Sequence, residues 1–176
     1  GTNGKTSTVQ MIAQAMTLQG KIAGTIGTLG VGLYGKLKAG ERTTPDVVAV
    51  HRSLAEMRDA GAVAVAMEVS SHALDQGRVA GVTFDIAVFS NLTLDHLDYH
   101  GTMQAYFEAK AKLFTWTGLR HAVINVDDAY GRLLAEKLPV GIHCIRTSSQ
   151  DAEADLRAEA LALGLDGMRF MLVYGA

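Results

Sequence analysis

The sequence has few cysteines, prolines and aromatic residues. Its 176 residues include one cysteine and two prolines, and aromatic residues make up 6%. The single cysteine, Cys144, excludes an intramolecular disulfide and a zinc site built from several cysteines. Because it lies in an apolar run, we expect Cys144 to be a small, buried hydrophobic side chain. The low aromatic content predicts a core of Ala, Val, Leu, Ile and Met.

Charge and long apolar runs are also scarce. Charged residues make up 19% of the chain and the formal net charge is −2, so neither a disordered chain nor a basic nucleic-acid-binding surface is indicated. No apolar stretch has the length of a membrane span, and no segment has the pattern of a signal peptide. We therefore expect a cytoplasmic protein with no nucleic-acid or membrane partner.

Apolar residues and glycine are abundant instead. Apolar residues make up 48% of the chain and glycine occurs 19 times, which at this length suits one globular domain. The first residue, Gly1, already belongs to a motif, and the sequence stops within an apolar run at residues 171–176. We expect a piece of a longer protein.

The pattern of apolar residues predicts strands that alternate with helices. Continuous apolar runs are typical of buried parallel strands and predict strands at residues 62–67, 84–89 and 121–125. Residues 22–29 predict a further strand, interrupted by glycines. Apolar residues at helical spacing predict helices at residues 4–19, 44–60, 102–114 and 127–138. This alternation predicts an α/β fold with a mostly parallel sheet flanked by helices.

Local signals add three details to this prediction. Thr44 is expected to cap the second helix, with Pro45 at its first position. Residues 30–42 hold four glycines and predict a loop or an irregular hairpin. Residues 154–163 and 168–174 flank a Leu-Asp-Gly turn and predict a small antiparallel β-hairpin at the C-terminal end.

Residues 1–6, Gly-Thr-Asn-Gly-Lys-Thr, end as a phosphate-binding P-loop does, with Gly-Lys-Thr leading into a predicted helix. Glycines let backbone N–H groups turn toward a phosphate, and the helix N-terminus adds partial positive charge. Lys5 is predicted to reach the terminal phosphates and Thr6 to ligate Mg²⁺. The alternative is a glycine turn that only caps a helix.

Candidate metal ligands follow two of the predicted strands. Glu68 lies at the carboxyl end of the strand at 62–67, the edge where ligands bind in open α/β sheets. His96 follows the strand at 84–89, within a polar run. The alternatives are a solvent-facing strand end and a polar loop. Lys110 and Lys112 lie on a predicted helix, where a lysine is ordinarily a surface charge, and this is what we expect of Lys112.

Taken together, these segments resemble the central, ATP-binding domain of the Mur ligase family, whose members build the peptide of bacterial cell-wall precursors. The resemblance covers nearly the whole chain and is carried by residues 1–6, 43–46, 67–72, 91–101 and 125–128. Within the family, the chain is most similar to ligases that add a diamino acid as the third residue. Family members also have an N-terminal uridine-nucleotide domain and a C-terminal amino-acid-binding domain, which residues 1–176 lack.

The resemblance implies a role for each candidate site residue. The ATP-binding set is Gly1, Thr2, Asn3, Gly4, Lys5, Thr6, Ser7 and Asn125, with Asn125 at the adenine. The set for two Mg²⁺ ions is Thr6, Glu68, His96 and a carbamylated Lys110. The set for the UDP-muramoyl dipeptide is Thr43, Thr44, Ser70, Gln76 and Arg78. The catalytic set is Lys5, Glu68, His96 and Lys110.

The implied reaction is ATP-dependent amide-bond formation through an acyl phosphate. Its partners are UDP-N-acetylmuramoyl-L-alanyl-D-glutamate and a diamino acid, either meso-diaminopimelate or L-lysine, and a monomer is expected. Two alternatives stay open: a folylpolyglutamate synthetase-like ligase, and a non-catalytic P-loop module that only holds nucleotide. The motif at residues 43–46, together with Ser-Ser-His at residues 70–72, favours the cell-wall enzyme. The cluster of Glu68, His96 and Lys110 disfavours the non-catalytic module, because holding a nucleotide does not need a second metal site. The isolated chain is expected to be inactive because both flanking domains are absent.

Overall fold

The computed structural model describes residues 1–95, 97–151 and 153–175. Residues 4–82 form one compact unit, called here the first unit. Residues 1–3 and those from 83 onward form the second unit. Each unit contains a sheet with parallel strand pairs and several helices, which confirms the predicted α/β class.

The first unit is built on a four-stranded sheet with the strand order β3-β2-β1-β4. Its strands are β1 (Ala23–Gly27), β2 (Gly30–Leu33), β3 (Lys36–Lys38) and β4 (Ala64–Met67). Its helices are α1 (Lys5–Leu18), α2 (Val47–Asp59) and α3 (Ser71–Asp75). β1 and β4 are parallel, whereas β2 and β3 run antiparallel, so the glycine-rich segment is a hairpin.

The parallel pair β1 and β4 brings two carboxyl ends to one edge of this sheet. Ile26 is in register with Met67, and the backbone N–H of Glu68 continues the ladder by donating to the Ile26 carbonyl at 2.8 Å. Every residue of β1 is buried. Residues that follow β1 and β4 therefore lie side by side at a rigid edge.

The second unit contains a five-stranded sheet in sequence order, β5 to β9. Its strands are β5 (Ile86–Phe89), β6 (His121–Asn125), β7 (His143–Ser148), β8 (Leu156–Gly164) and β9 (Gly167–Tyr174). Its helices are α4 (Leu97–His100), α5 (Met103–Ala111), a 3₁₀ helix (Lys112–Thr115) and α6 (Ala129–Glu136). β5 to β8 are parallel and β8–β9 is antiparallel, which confirms the C-terminal hairpin.

The core of the second unit is more aromatic than the composition predicted. Phe89, Tyr106, Phe107 and Phe114 are all buried in one cluster. They pack with small and aliphatic residues of β5 and β6, such as Ala122. The prediction of a purely aliphatic core was wrong, because the few aromatic residues of the chain are concentrated here.

Two further local predictions were wrong. Helix α2 begins at Val47, and its cap is Asp46, whose side chain accepts from the Ala49 N–H, rather than Thr44. The hydroxyl of Thr44 is buried and is used in long-range hydrogen bonds instead. Cys144 is half-buried rather than buried, and this partial burial raises the pKa of its thiol. None of the helices in the described ranges has the length and hydrophobicity of a membrane span.

Candidate functional site

Glu68 is a buried carboxylate at the end of β4. Its exposed fraction is 2%, which excludes a solvent-facing strand end. One carboxylate oxygen accepts from the backbone N–H of Thr28 at 2.8 Å. The other accepts from the hydroxyl of Thr6 at 2.9 Å and that of Thr28 at 3.4 Å. A Cβ at Gly27 would collide with this carboxylate, so glycine at the end of β1 makes room for it.

The residues of the predicted P-loop lead directly into α1. Gly4 occupies the helix N-cap with φ 82°, a left-handed conformation that glycine adopts without strain. Lys5 and Thr6 are half-buried in the first turn, where backbone N–H groups have no intrahelical acceptor. This turn therefore offers partial positive charge at the point where the Thr6 hydroxyl meets Glu68.

The residues predicted to bind the muramoyl substrate cluster around the same carboxylate-bearing segment. The Thr44 hydroxyl donates to the Glu68 carbonyl at 2.8 Å and accepts from the Ser70 N–H at 3.1 Å. Arg78 donates to the Thr44 carbonyl at 3.0 Å, and its guanidinium also contacts Gln76. Thr43 joins them through a 3.0 Å hydroxyl contact with Thr28. The structure thus brings all five predicted substrate residues together within the first unit.

In the second unit, the side chain of Lys110 is buried rather than a surface charge. Its exposed fraction is 5%, and its ammonium donates to the Gly1 carbonyl at 3.0 Å. It also lies 4.6 Å from the centroid of the Tyr106 ring, within the range of a cation–π interaction. The Tyr106 hydroxyl is 3.2 Å from that of Thr2. Burial raises the pKa of Tyr106, and the Thr2 hydrogen bond acts in the opposite sense. Lys112, in contrast, is exposed as predicted.

The predicted adenine residue Asn125 lies at the end of β6. Its side-chain N–H₂ group donates to the Ser90 carbonyl at 2.8 Å, and its side-chain oxygen accepts from the Asp127 N–H at 3.0 Å. Burial tends to raise the pKa of Asp127, but hydrogen bonds from Ser148, Ser149 and the Gln150 N–H outweigh it and hold the pKa below its ordinary value. These contacts fix the loop between β6 and α6.

The oxygen atoms at Glu68 are of the type that a magnesium ion prefers. A buried carboxylate with hydroxyl groups of Thr6 and Thr28 against it is a set of hard oxygen donors, which Mg²⁺ prefers. Across the described part of the chain, no three His, Cys, Asp or Glu side chains form a cluster suited to a metal ion. His96, predicted as a further ligand, lies outside the described residues.

Sequence reasoning missed Thr28 and Tyr106. Thr28 belongs to no recognised motif. It follows β1 as Glu68 follows β4, and the parallel pairing of those strands places Thr28 beside the Glu68 carboxylate. Tyr106 precedes Lys110 by four residues on a helix, a spacing that puts two side chains on one face. The pairing of β1 with β4 is the signal for Thr28, and the four-residue spacing from Lys110 is the signal for Tyr106.

Comparison with known proteins identifies the family of the chain. The Mur ligase middle domain family matches residues 1–175. The chain belongs to this family. It is 60% identical over 176 residues to the UDP-N-acetylmuramoyl-L-alanyl-D-glutamate–2,6-diaminopimelate ligase of Xanthomonas campestris pv. campestris strain 8004. That match covers 99% of the chain and 36% of the relative, so the chain spans about a third of the length of the relatives it matches.

Solved structures show the same likeness to Mur ligases. A structure of a UDP-N-acetylmuramoyl-L-alanyl-D-glutamate–2,6-diaminopimelate ligase superposes with a TM-score of 0.88 and 37% identity, covering 97% of the chain and 35% of that protein. E. coli FolC in complex with DHPP and ADP superposes with a TM-score of 0.63 at 17% identity, over 96% of the chain and 46% of FolC. The second likeness shows a shared fold alone.

Proposed function

We propose that this Mur ligase domain is the central, ATP-binding domain of a longer ligase of peptidoglycan precursor synthesis. The reaction is the ATP-dependent addition of a diamino acid to UDP-N-acetylmuramoyl-L-alanyl-D-glutamate. The observation that carries the proposal is the hydrogen bond between Thr6 of the predicted P-loop and the buried Glu68, because a hydroxyl and a carboxylate of the kind that binds Mg²⁺ meet there beside a helix N-terminus. The 60% identity to a ligase of that name supports the substrate assignment. The cytoplasmic location and monomeric state stay predictions.

In this proposal the first turn of α1 binds the phosphates of ATP. Lys5 neutralises the terminal phosphates, and N–H groups of the first turn donate to them. Thr6 and Glu68 would hold a Mg²⁺ ion, which supplies charge neutralisation between two anionic reactants when it is bound. Asn125 would contact the adenine.

The reaction has two steps. Two anions, the substrate carboxylate and ATP, react first, and the amine of the diamino acid reacts second. The D-glutamate carboxylate of the substrate attacks the γ-phosphorus of ATP, the bond to the β,γ-bridging oxygen breaks, and acyl phosphate and ADP result. The amine of the diamino acid then attacks the acyl carbon, phosphate leaves, and the amine loses a proton to give the amide. The first-unit residues Thr43, Thr44, Ser70, Gln76 and Arg78 bind and orient the UDP-muramoyl dipeptide for the first attack.

The second-unit residue Lys110 is proposed to act as a carbamate, with His96, at a second Mg²⁺ ion. Its burial supports a role other than that of a surface charge. The alternative of a module that only holds nucleotide does not account for a buried Glu68 with three donors around it. The likeness to FolC carries only the fold and so does not favour a folate substrate.

The proposal is tested on the full-length ligase that carries this chain. ADP release should require both UDP-N-acetylmuramoyl-L-alanyl-D-glutamate and either meso-diaminopimelate or L-lysine, and dihydropteroate with glutamate should not replace them. Lys5→Ala should remove this activity with little loss of stability, since Lys5 lies at a half-exposed helix start. Lys21→Ala, an exposed lysine of the same unit, is the control and should leave the rate unchanged. Near-normal ligation by Lys5→Ala contradicts the P-loop assignment.

A further inference from the structure

Residues 1–3, the first half of the P-loop, are held by the segment 90–93 that follows β5. The Thr2 N–H donates to the Asn91 carbonyl at 2.7 Å. The Thr93 N–H donates to the Thr2 hydroxyl at 3.1 Å. The side-chain N–H₂ group of Asn3 donates to the Thr93 hydroxyl, also at 3.1 Å. All of these groups belong to the second unit. The loop is therefore shaped by side chains that no P-loop motif includes.

Asn91 makes the most specific of these contacts. Its side-chain oxygen accepts from the Asn3 N–H at 2.9 Å, and its side-chain N–H₂ group donates to the Asn3 carbonyl at 3.1 Å. The Ser90 hydroxyl donates to the same carbonyl at 2.6 Å. Asn91 thus satisfies both backbone groups of Asn3, and two donors fix the direction of the Asn3 carbonyl.

The direction of this carbonyl determines the direction of the next backbone N–H. A trans peptide unit is planar, so its C=O and the N–H of the following residue point in opposite senses. Turning the Asn3 carbonyl toward Ser90 and Asn91 therefore turns the Gly4 N–H away from them. Without these donors, the peptide unit before Gly4 could rotate, because a left-handed glycine has a wide choice of backbone angles.

We propose that Asn91 is a positioning residue for ATP, which locks the Asn3–Gly4 peptide unit so that the Gly4 N–H faces the phosphates. This inference rests on the proposed nucleotide site and adds how that site is shaped. The N–H groups of Thr2 and Asn3 are already used by Asn91, so the phosphate donors are those of Gly4 and the first turn of α1. Asn91 itself does not contact the nucleotide.

The segment that carries Asn91 is anchored from its other side. The Asn125 amide donates to the Ser90 carbonyl at 2.8 Å, and the Leu92 N–H donates to the Asp128 carboxylate at 2.9 Å. Asp128 is also the cap of α6. Residues 90–92 are thereby hydrogen-bonded to the β6–α6 connection, which supports the segment that holds Asn3.

The test uses Asn91→Leu, which keeps the branching at Cγ and loses both hydrogen bonds, in the full-length ligase. Affinity for a non-hydrolysable ATP analogue, measured by calorimetry, should fall about tenfold, and the KM for ATP should rise in proportion. The KM for the UDP-muramoyl dipeptide should change less than about twofold, because its residues lie in the first unit. Ser90→Ala removes one of two donors and should give a smaller loss of ATP affinity of the same kind.

A control separates positioning from general instability. Asp155→Asn removes an ion pair of the second unit that does not contact the P-loop, and should lower stability while leaving the KM for ATP unchanged. If Asn91→Leu and Ser90→Ala bind the analogue as tightly as wild type, the positioning role is wrong. If wild type binds the analogue but performs no ligation, the proposed ligase activity is wrong, while the effect of Asn91 on nucleotide affinity is still measured.

Discussion

The hydroxyl of Thr6 donates to the carboxylate of Glu68 across 2.9 Å, although 62 residues separate them in the chain. Thr6 belongs to the predicted P-loop, and Glu68 directly follows β4, whose residues are half-buried. Buried carboxylates cost free energy unless they are hydrogen-bonded or bind a cation. Glu68 has hydrogen-bond donors on both oxygens, and the same oxygens are suited to Mg²⁺.

Glu68→Gln should reduce ligation by about 100-fold or more, because the uncharged amide is a poor Mg²⁺ ligand and no longer offsets the charge of the cation. The shape of the side chain and its bond with the Thr28 N–H are kept, so we expect little loss of stability. Mg²⁺ titration in the presence of an ATP analogue checks the change. Glu56→Gln, an exposed residue on α2, is the matched control. Unchanged Mg²⁺ affinity in Glu68→Gln would mean that Glu68 is not a ligand.

Thr25→Val should stabilise the protein. Thr25 is fully buried in β1, and among the described residues its hydroxyl oxygen is the buried side-chain atom without a hydrogen-bond partner. Valine keeps the shape, removes the unsatisfied group and suits a strand, so the free energy of unfolding should rise by about 1 kcal/mol. Urea unfolding of the full-length protein measures the change. A loss of stability would show that the hydroxyl has a favourable interaction.

The part of the site that depends on strand ends could be predicted from sequence. The apolar run at 62–67 predicts a buried strand, and a polar residue directly after it must lie at the carboxyl edge of the sheet. The strand is present as β4, but its residues are half-buried, so the predicted burial was wrong while the predicted position of the edge was confirmed. Glu68 is found there, buried against its neighbours. Such a prediction works because the period of a strand and the direction of a parallel sheet leave few choices.

The parts that depend on long-range hydrogen bonds could not be predicted. Thr44 before Pro45 has the local pattern of a helix start, but its hydroxyl bonds the Glu68 carbonyl and the Ser70 N–H instead. A local capping signal is worth about 1 kcal/mol, and burial with two partners outweighs it. Strand β7 was missed because the sequence of His143–Ser148 is largely polar, and α3 because five residues carry too little periodicity.

Protonation of Asp155 should lower the stability of the protein at acidic pH. A hydrogen bond from the Arg146 side chain lowers the pKa of Asp155 below its ordinary value. A lowered folded-state pKa means that the pair stabilises the fold above about pH 3.9, the pKa of an unfolded Asp. This contribution is lost as the pH falls through the lower pKa of the folded state. Since side-chain exposure is 43% for Arg146 and 38% for Asp155, it should not exceed about 1 kcal/mol.

Asp155→Asn provides the measurement for this pH effect. The free energy of unfolding in urea should differ from wild type at pH 7, and the difference should shrink as the pH is lowered from about 5 to 3. A difference that stays constant over this range would show that the ionisation of Asp155 does not contribute.

Carbamylation of Lys110 is the last prediction, and it follows from the buried position of this side chain. Its Nζ is 3.0 Å from the Gly1 carbonyl, beside the P-loop residues of the same unit. The neutral amine would attack CO₂, forming an N–C bond and releasing a proton, so that a carboxylate replaces a positive charge. A carboxylate is a Mg²⁺ ligand and an ammonium is not. The lysine could then serve the ligase reaction as a metal ligand instead of a cation.

Lys110→Ala in the full-length ligase should therefore lose activity by about 100-fold or more, and acetate should restore part of it, because a free carboxylate can occupy the vacated ligand position. Lys112→Ala, two residues further on and exposed, should have normal activity and no response to acetate. Wild type in acetate controls for a general salt effect. A positively charged structural lysine would give a different result: Lys110→Arg would retain activity, since Arg can also donate to the Gly1 carbonyl and stack on Tyr106. Carbamylation requires that Lys110→Arg be inactive and that only Lys110→Ala, which leaves room for the anion, respond to acetate.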